Sequence, residues 1–225
     1  MIYTIHTFQI ESQNYDEFVC KSEEEIWPAM ESQGARALGL WIVVMGGMER
    51  ILLMTRYDSL AHWQEVQRWD TSSVKPQSTS SERISFIEDT AVIALSPLTE
   101  LQPEGDAPET EPGIYTLRRF EVERENVERL VELSEKGWWP WVRKGQAIRP
   151  VGQWLSIIAP ETRVYMISRY NDLAHWEATR GPGPEPPDPE MHAIWERGRT
   201  ALRERTALIR RTDVRILRPI SRRRP

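Results

Sequence analysis

Ile2-Tyr3-Thr4-Ile5-His6-Thr7-Phe8 recurs at an offset of 112 as Ile114-Tyr115-Thr116-Leu117-Arg118-Arg119-Phe120. Working outward at that offset, Asn14 meets Asn126, Ser22-Glu23 meets Ser134-Glu135, and Trp27-Pro28 meets Trp139-Pro140. One residue of slip later, Trp41 matches Trp154, Arg56-Tyr57 matches Arg169-Tyr170, and Leu60-Ala61-His62-Trp63 matches Leu173-Ala174-His175-Trp176. Near the ends, Val92, Leu95 and Pro97 match Val214, Leu217 and Pro219. Identities in a single order along a whole unit mark an internal duplication. The first repeat is placed at residues 1–99 and the second at 113–221, joined by a proline- and acid-rich linker at 100–112 that reads as exposed.

Each repeat reads as β-α-β-β-α-β. Residues 2–10 are short, β-branched and aromatic, as a strand is. Asn14 and Asn126 fall where a helix N-cap belongs. Tyr15, Phe18, Val19, Ile26 and Met30 then share one helical face, and Val127, Leu130, Val131, Trp138 and Val142 repeat it. Pro28 and Pro140 each remove a helical N–H, so this helix should kink or end there. Runs at 39–45 and 50–57 flank Gly46-Gly47 as a hairpin, and Asp58 and Asn171 are placed to cap a second helix. Serine-rich residues 71–81 and proline-rich residues 181–189 read as exposed loops, a helix is expected over Met191 to Thr206, and a last strand closes each repeat. This order is the ferredoxin-like unit, whose helices cover one sheet face. The bare face needs a cover, and a second copy supplies it. The expected fold is therefore α+β, two tandem units forming a pseudo-dimeric α+β barrel.

The 225 residues carry a net charge of −5, with no general pull toward nucleic acid. The basic cluster Arg222-Arg223-Arg224 reads as a solvated tail. A lone cysteine, Cys20, cannot form an internal disulfide and reads as a small semi-buried helix residue. No signal peptide and no membrane span are read, and a cytoplasmic location is expected. Ten tryptophans exceed what a core of this size needs and suggest an aromatic pocket or interface. Phosphate loops, nucleophile elbows and metal-ligand spacings do not occur, so nucleotide-dependent chemistry and a metal are not expected.

The opening Ile114–Phe120 stretch, the Gly39-Leu40-Trp41 and Gly152-Gln153-Trp154 strands, and the Tyr57-Asp58-Ser59-Leu60-Ala61 and Tyr170-Asn171-Asp172-Leu173-Ala174 turns resemble the NIPSNAP family of the dimeric α+β barrel superfamily. The resemblance spans both repeats. Thr4, Thr116 and His6 depart from the family pattern, which commonly has an acid at the first two positions and arginine at the third. What it implies is the fold. The wider superfamily includes cofactor-free monooxygenases, isomerases, polyketide cyclases and haem enzymes, so fold alone selects no activity.

Strand alternation predicts a barrel lining of Thr4, His6, Phe8, Trp41, Val43, Thr55 and Tyr57 from the first repeat. Thr116, Arg118, Phe120, Trp154, Ser156, Ser168 and Tyr170 follow from the second. An aromatic cavity with few polar groups suits a hydrophobic small molecule. His6 and Arg118 are the candidate catalytic pair, His6 as acid or base and Arg118 holding a carboxylate, enolate or phenolate. His62 and His175 are secondary candidates, for proton transfer or axial haem ligation, against the plainer reading of packing residues copied by duplication. Trp27 and Trp139 are placed either in the core or at the barrel mouth. The expected function is binding of an aromatic or polyketide-like molecule, with nucleotide-independent isomerase, cyclase or monooxygenase activity. No cofactor is expected, with haem kept open. The alternatives are a non-catalytic ligand-binding or interaction module, or a haem-binding protein. Further self-association into a homo-oligomer is left open.

Overall fold

Nine residues of alternating bulk, Ile2 to Ile10, make β1 the spine of the first repeat. The computed structural model describes residues 1–46, 50–71, 83–100 and 113–220. Gly47, the serine-rich stretch beyond residue 71, the linker from 101 to 112 and the C-terminal arginine cluster lie outside the described residues. β1 pairs antiparallel with β3 (Ile51–Tyr57) on one side and with β4 (Ile87–Pro97) on the other, and β2 (Arg36–Met45) pairs with β3. The order β4-β1-β3-β2 is ferredoxin-like. Between β1 and β2 run α1 (Tyr15–Lys21) and α2 (Trp27–Ser32), and α3 (Leu60–Thr71) follows β3.

The second repeat repeats this order. β5 (Ile114–Val122) lies between β7 (Arg163–Tyr170) and β8 (Ile209–Pro219), with β6 (Arg149–Ser156) beside β7. Its helices are α4 (Val127–Glu132), α5 (Trp139–Gln146), α6 (Leu173–Ala178) and α7 (Pro189–Ala207). The chain divides into two compact units, Met1–Pro97 with Pro219–Pro225, and Leu98–Arg218. Leu98 belongs to the second because its N–H donates to the Gln153 carbonyl at 2.9 Å, and Gln153 N–H in turn donates to Thr99 Oγ1 at 2.8 Å.

The internal prolines do not break the first helix of either repeat. The chain widens instead into a π-helical turn, Ser22–Ile26 before Pro28 and Leu133–Trp138 before Pro140. A proline has no N–H to give and its ring crowds the preceding turn, so one wider turn upstream accommodates it while the helix continues. Asn14 and Asn126 stand at the N-cap positions but make no side-chain cap bond, because a 3-10 turn precedes each helix. The second helices are capped one residue later than expected, by Ser59 and Asp172 accepting from His62 and His175 N–H.

His62 and His175 form a duplicated clasp. Asp58 N–H donates to His62 Nδ1 at 3.0 Å, so the ring hydrogen is on Nε2, which donates to the Gln33 carbonyl at 2.7 Å. Asn171 N–H and the Gln146 carbonyl treat His175 identically, at 3.1 and 2.6 Å. Each ring also meets a tyrosine edge-on, Tyr57 and Tyr170, with centroids 5.8 Å apart. Both nitrogens are occupied, so neither ring is left for proton transfer or for iron. These bonds favour the plainer reading of the two histidines as packing residues copied by duplication.

The tryptophan surplus goes largely into structure. Trp27 and Trp139 are fully buried in the helix-side cores. Trp141 and Trp195 donate their indole N–H groups to the Pro182 carbonyl, and Gln146 donates to the Gly181 carbonyl at 2.6 Å, pinning the proline-rich loop. Cys20 is exposed rather than semi-buried, on the outer side of α1. Among the described residues, no helix is long and apolar enough to cross a membrane.

Gly137 sits where α7 crosses the π-helical turn, and a Cβ there would fall 2.3 Å from Ala201 Cβ. Gly137→Ala should cost about 1–3 kcal/mol in urea unfolding. His175→Ala removes both ends of its clasp and should cost about 2 kcal/mol, by the same measurement.

Candidate active site

The pairing of β1 with β3 decides which side chains share a face. Thr4 faces Thr55, His6 faces Leu53, Phe8 faces Ile51 and Ile2 faces Tyr57. Phe8, Ile51, Leu53 and Tyr57 pack with Phe18, Ile26, Trp27 and Met30 of the helices. This set is therefore the helix-facing side of the sheet. A bulge in β2 then breaks the expected alternation. Ala37 pairs with Thr55 but Gly39 pairs with Met54, so Leu38 is an extra residue and Trp41 pairs with Leu52. One inserted residue reverses every later side chain. The second repeat has the same bulge between Pro150 and Gly152, which sends Trp154 to the side of Tyr165.

The predicted lining is thereby divided. Thr4, His6, Phe8, Thr55 and Tyr57 lie on the helix side in the first repeat, and Thr116, Arg118, Phe120, Ser168 and Tyr170 in the second. Trp41 and Trp154 lie on the opposite face, each over a glycine two residues earlier, where a Cβ at Gly39 would fall 2.5 Å from the Trp41 ring. Val43 and Ser156 follow their tryptophans by alternation. The Ser156 hydroxyl donates to the Ile158 carbonyl. The expectation of one shared lining is corrected.

In the first repeat the helix side carries a cavity of about 680 Å³ that is partly open to solvent. Its walls are apolar: Phe8, Ile26, Met30, Leu53, Val66, Ile84, Ile87 and Val92. Its polar groups are His6, Thr55, Tyr57, Gln67 and Arg83, with Glu88, Asp89 and Thr90 completing the lining. His6 Nε2 is buried and has no hydrogen-bond partner among the described residues. Burial, and secondly the charge of Arg83, push its pKa down from 6.5 to about 4. His6 is therefore a neutral imidazole at physiological pH. Burial raises the Tyr57 phenol. The Gln67, Thr55 and Thr4 side chains beside it pull the other way.

Arg83 is the residue the sequence reading passed over. It is buried, donates Nε to Ser22 Oγ at 2.9 Å, and lies over the Phe18 ring at 4.2 Å and the Phe8 ring at 5.3 Å. Arg205 does the same in the second repeat, donating to Ser134 Oγ at 2.9 Å over the Phe120 ring at 4.7 Å. The signal was present: Glu82-Arg83 and Glu204-Arg205 share the offset that matches Val92 to Val214. Cation–π contact and a hydroxyl partner keep these guanidinium groups buried.

Arg118 holds the strand position of His6 but lines a different cavity, of about 90 Å³, with Ser168, Tyr170, Arg180 and Arg205. Neither cavity is lined by both His6 and Arg118. The pair is therefore split between the two repeats. No group of three or more potential metal ligands occurs among the described residues.

The NIPSNAP family profile matches residues 3–99 and 115–222, and the chain belongs to the NIPSNAP family. No curated protein matches it in sequence. Among solved structures it is similar to a candidate monooxygenase of Lactobacillus acidophilus NCFM, at 13% identity and TM-score 0.63 over 97% of this chain and 93% of that one. It is similar to an anthrone oxidase-like protein, at 13% identity and TM-score 0.58 over 97% and 91%. A chlorite dismutase mutant of Candidatus Nitrospira defluvii matches at 8% identity and TM-score 0.55, over 97% and 91%. At these identities the likeness is one of fold, α+β with two ferredoxin-like units in one chain, the dimeric α+β barrel class.

The depressed His6 pKa gives a test. Unfolded, the imidazole takes a proton near 6.5; folded, it resists protonation down to about 4. Stability present above pH 6.5 is therefore lost as the pH falls toward 4, by up to about 3 kcal/mol. His6→Leu should flatten the fall in urea midpoint between pH 7 and 4.5 relative to the parent protein.

Proposed function

We propose that the first repeat binds a hydrophobic, aromatic or polyketide-like ketone on the helix side of its sheet, and that the protein acts on it without a nucleotide or metal. The observation that carries this reading is His6 Nε2, buried and unpartnered in a cavity of about 680 Å³. A cavity of that size with apolar walls and few polar groups is of the kind that takes small organic molecules. A buried polar atom without a partner costs stability, and a ligand that supplies the partner recovers it.

A neutral imidazole can accept a proton from the carbon beside a ketone. Its imidazolium form is disfavoured until a negative charge develops next to it, which is what deprotonation creates. Arg83 and the Tyr57 phenol are the groups available to stabilise the resulting enolate. Return of the proton at another carbon gives an isomerisation or a cyclisation. Capture of the enolate by dioxygen gives an oxygenation, and the candidate monooxygenase and anthrone oxidase-like relatives of this fold favour that branch. Arg83 takes the part that the sequence reading gave to Arg118.

Anthrone is the test substrate. Its oxidation consumes one dioxygen and yields anthraquinone and one water, followed by oxygen uptake and quinone absorbance. Turnover by the native protein and a loss of about 10²–10⁴-fold in His6→Ala are expected, with His192→Ala, on α7 of the second repeat, unaffected. Anthrone bound without oxygen uptake would favour the non-catalytic binding module instead.

A further inference from the structure

We infer that the second repeat carries a separate binding site for a small oxyanion, of carboxylate or phosphate size, held by Arg118, Arg180 and Arg205. The two repeats build their helix-side cavities from corresponding positions. Thr55 and Tyr57 correspond to Ser168 and Tyr170, Arg83 to Arg205, and Met30 to Val142. Two polar positions differ in charge. Where the first repeat has His6 and Gln67, the second has Arg118 and Arg180. Two lining positions that are uncharged in the first repeat are thus cationic in the second.

Three arginines line this cavity and no acid does. Among the described residues, neither Arg118 nor Arg180 has an ion pair or hydrogen bond; Arg180 only stacks on the Trp176 ring at 5.1 Å. Arg205 is 5% exposed and is held by Ser134 and Phe120, with no carboxylate near it. Burial first, and then the charge of Arg118, lower its pKa to about 10, while Tyr170 pulls it the other way. A buried Arg205 with the half-buried Arg118 beside it and no counter-ion is costly, and a small anion removes that cost. Size limits the occupant. Trp138 stands where the first repeat has Ile26, and about 90 Å³ remains. That is roughly the liquid volume of three waters, enough for acetate or phosphate and too little for a polycyclic ketone.

Thermal unfolding with added acetate or phosphate tests the site, at constant ionic strength made up with sodium chloride. The melting temperature of the native protein should rise along a saturating curve. Arg118→Met should abolish the rise, Arg118→Lys should weaken binding about tenfold, and Arg180→Met, at an exposed position, should weaken it without threatening the fold. Without either anion, Arg118→Met should melt above the native protein because the repulsion is gone. A rise that does not saturate, or one that persists unchanged in Arg118→Met and Arg180→Met, would overturn the proposal. So would a lower melting point of Arg118→Met in buffer without acetate or phosphate.

Discussion

A strand has two faces, and the antiparallel register of β1 on β3 assigns each residue to one of them. That constraint is felt throughout each repeat. It places His6 in line with Leu53 and Thr55, toward the helices, and turns Ile5 and Leu52 away. The same register in β5 and β7 places Arg118 beside Met166 on the helix side. Everything chemical that can be assigned to the protein follows from this orientation, because the helices, the π-helical turns and the buried arginines all gather on that face.

The duplication explains how one framework came to hold two different sites. The structural devices were copied intact: the histidine clasps, the proline-induced π-helical turns, the arginine on its serine, and the bulge that turns a tryptophan over its glycine. These fix the backbone, and they tolerate little change. The residues that differ stand where the cavities are lined. His6 corresponds to Arg118, Gln67 to Arg180, and Ile26 to the larger Trp138. Charge and volume thus diverged while the scaffold did not.

Much of the fold was legible in the sequence, because repetition and period-two patterning are local signals. The eight strands, the long helix ending near Thr206 and the ferredoxin-like order are all visible there. The site was only partly legible. Alternation from Tyr57 and His6 holds as far as Ala37, but nothing in Ala37-Leu38-Gly39 announces an extra residue, and Trp41 was placed on the wrong side. His62 and His175 look like chemistry in a sequence because histidine often is; only backbone geometry shows both nitrogens engaged. Arg83 was missed because the offset between the repeats changes from 113 to 122 just before it.

Methyl-resolved NMR of the protein titrated with anthrone tests the central claim most directly, that the organic ligand enters the first repeat from the helix side. Shifts at Ile26, Met30, Leu53 and Val66, with Ile5, Leu52 and Met54 silent, are the outcome the account requires. Shifts confined to Ile5, Leu52 and Met54 would place the ligand on the opposite face and contradict it.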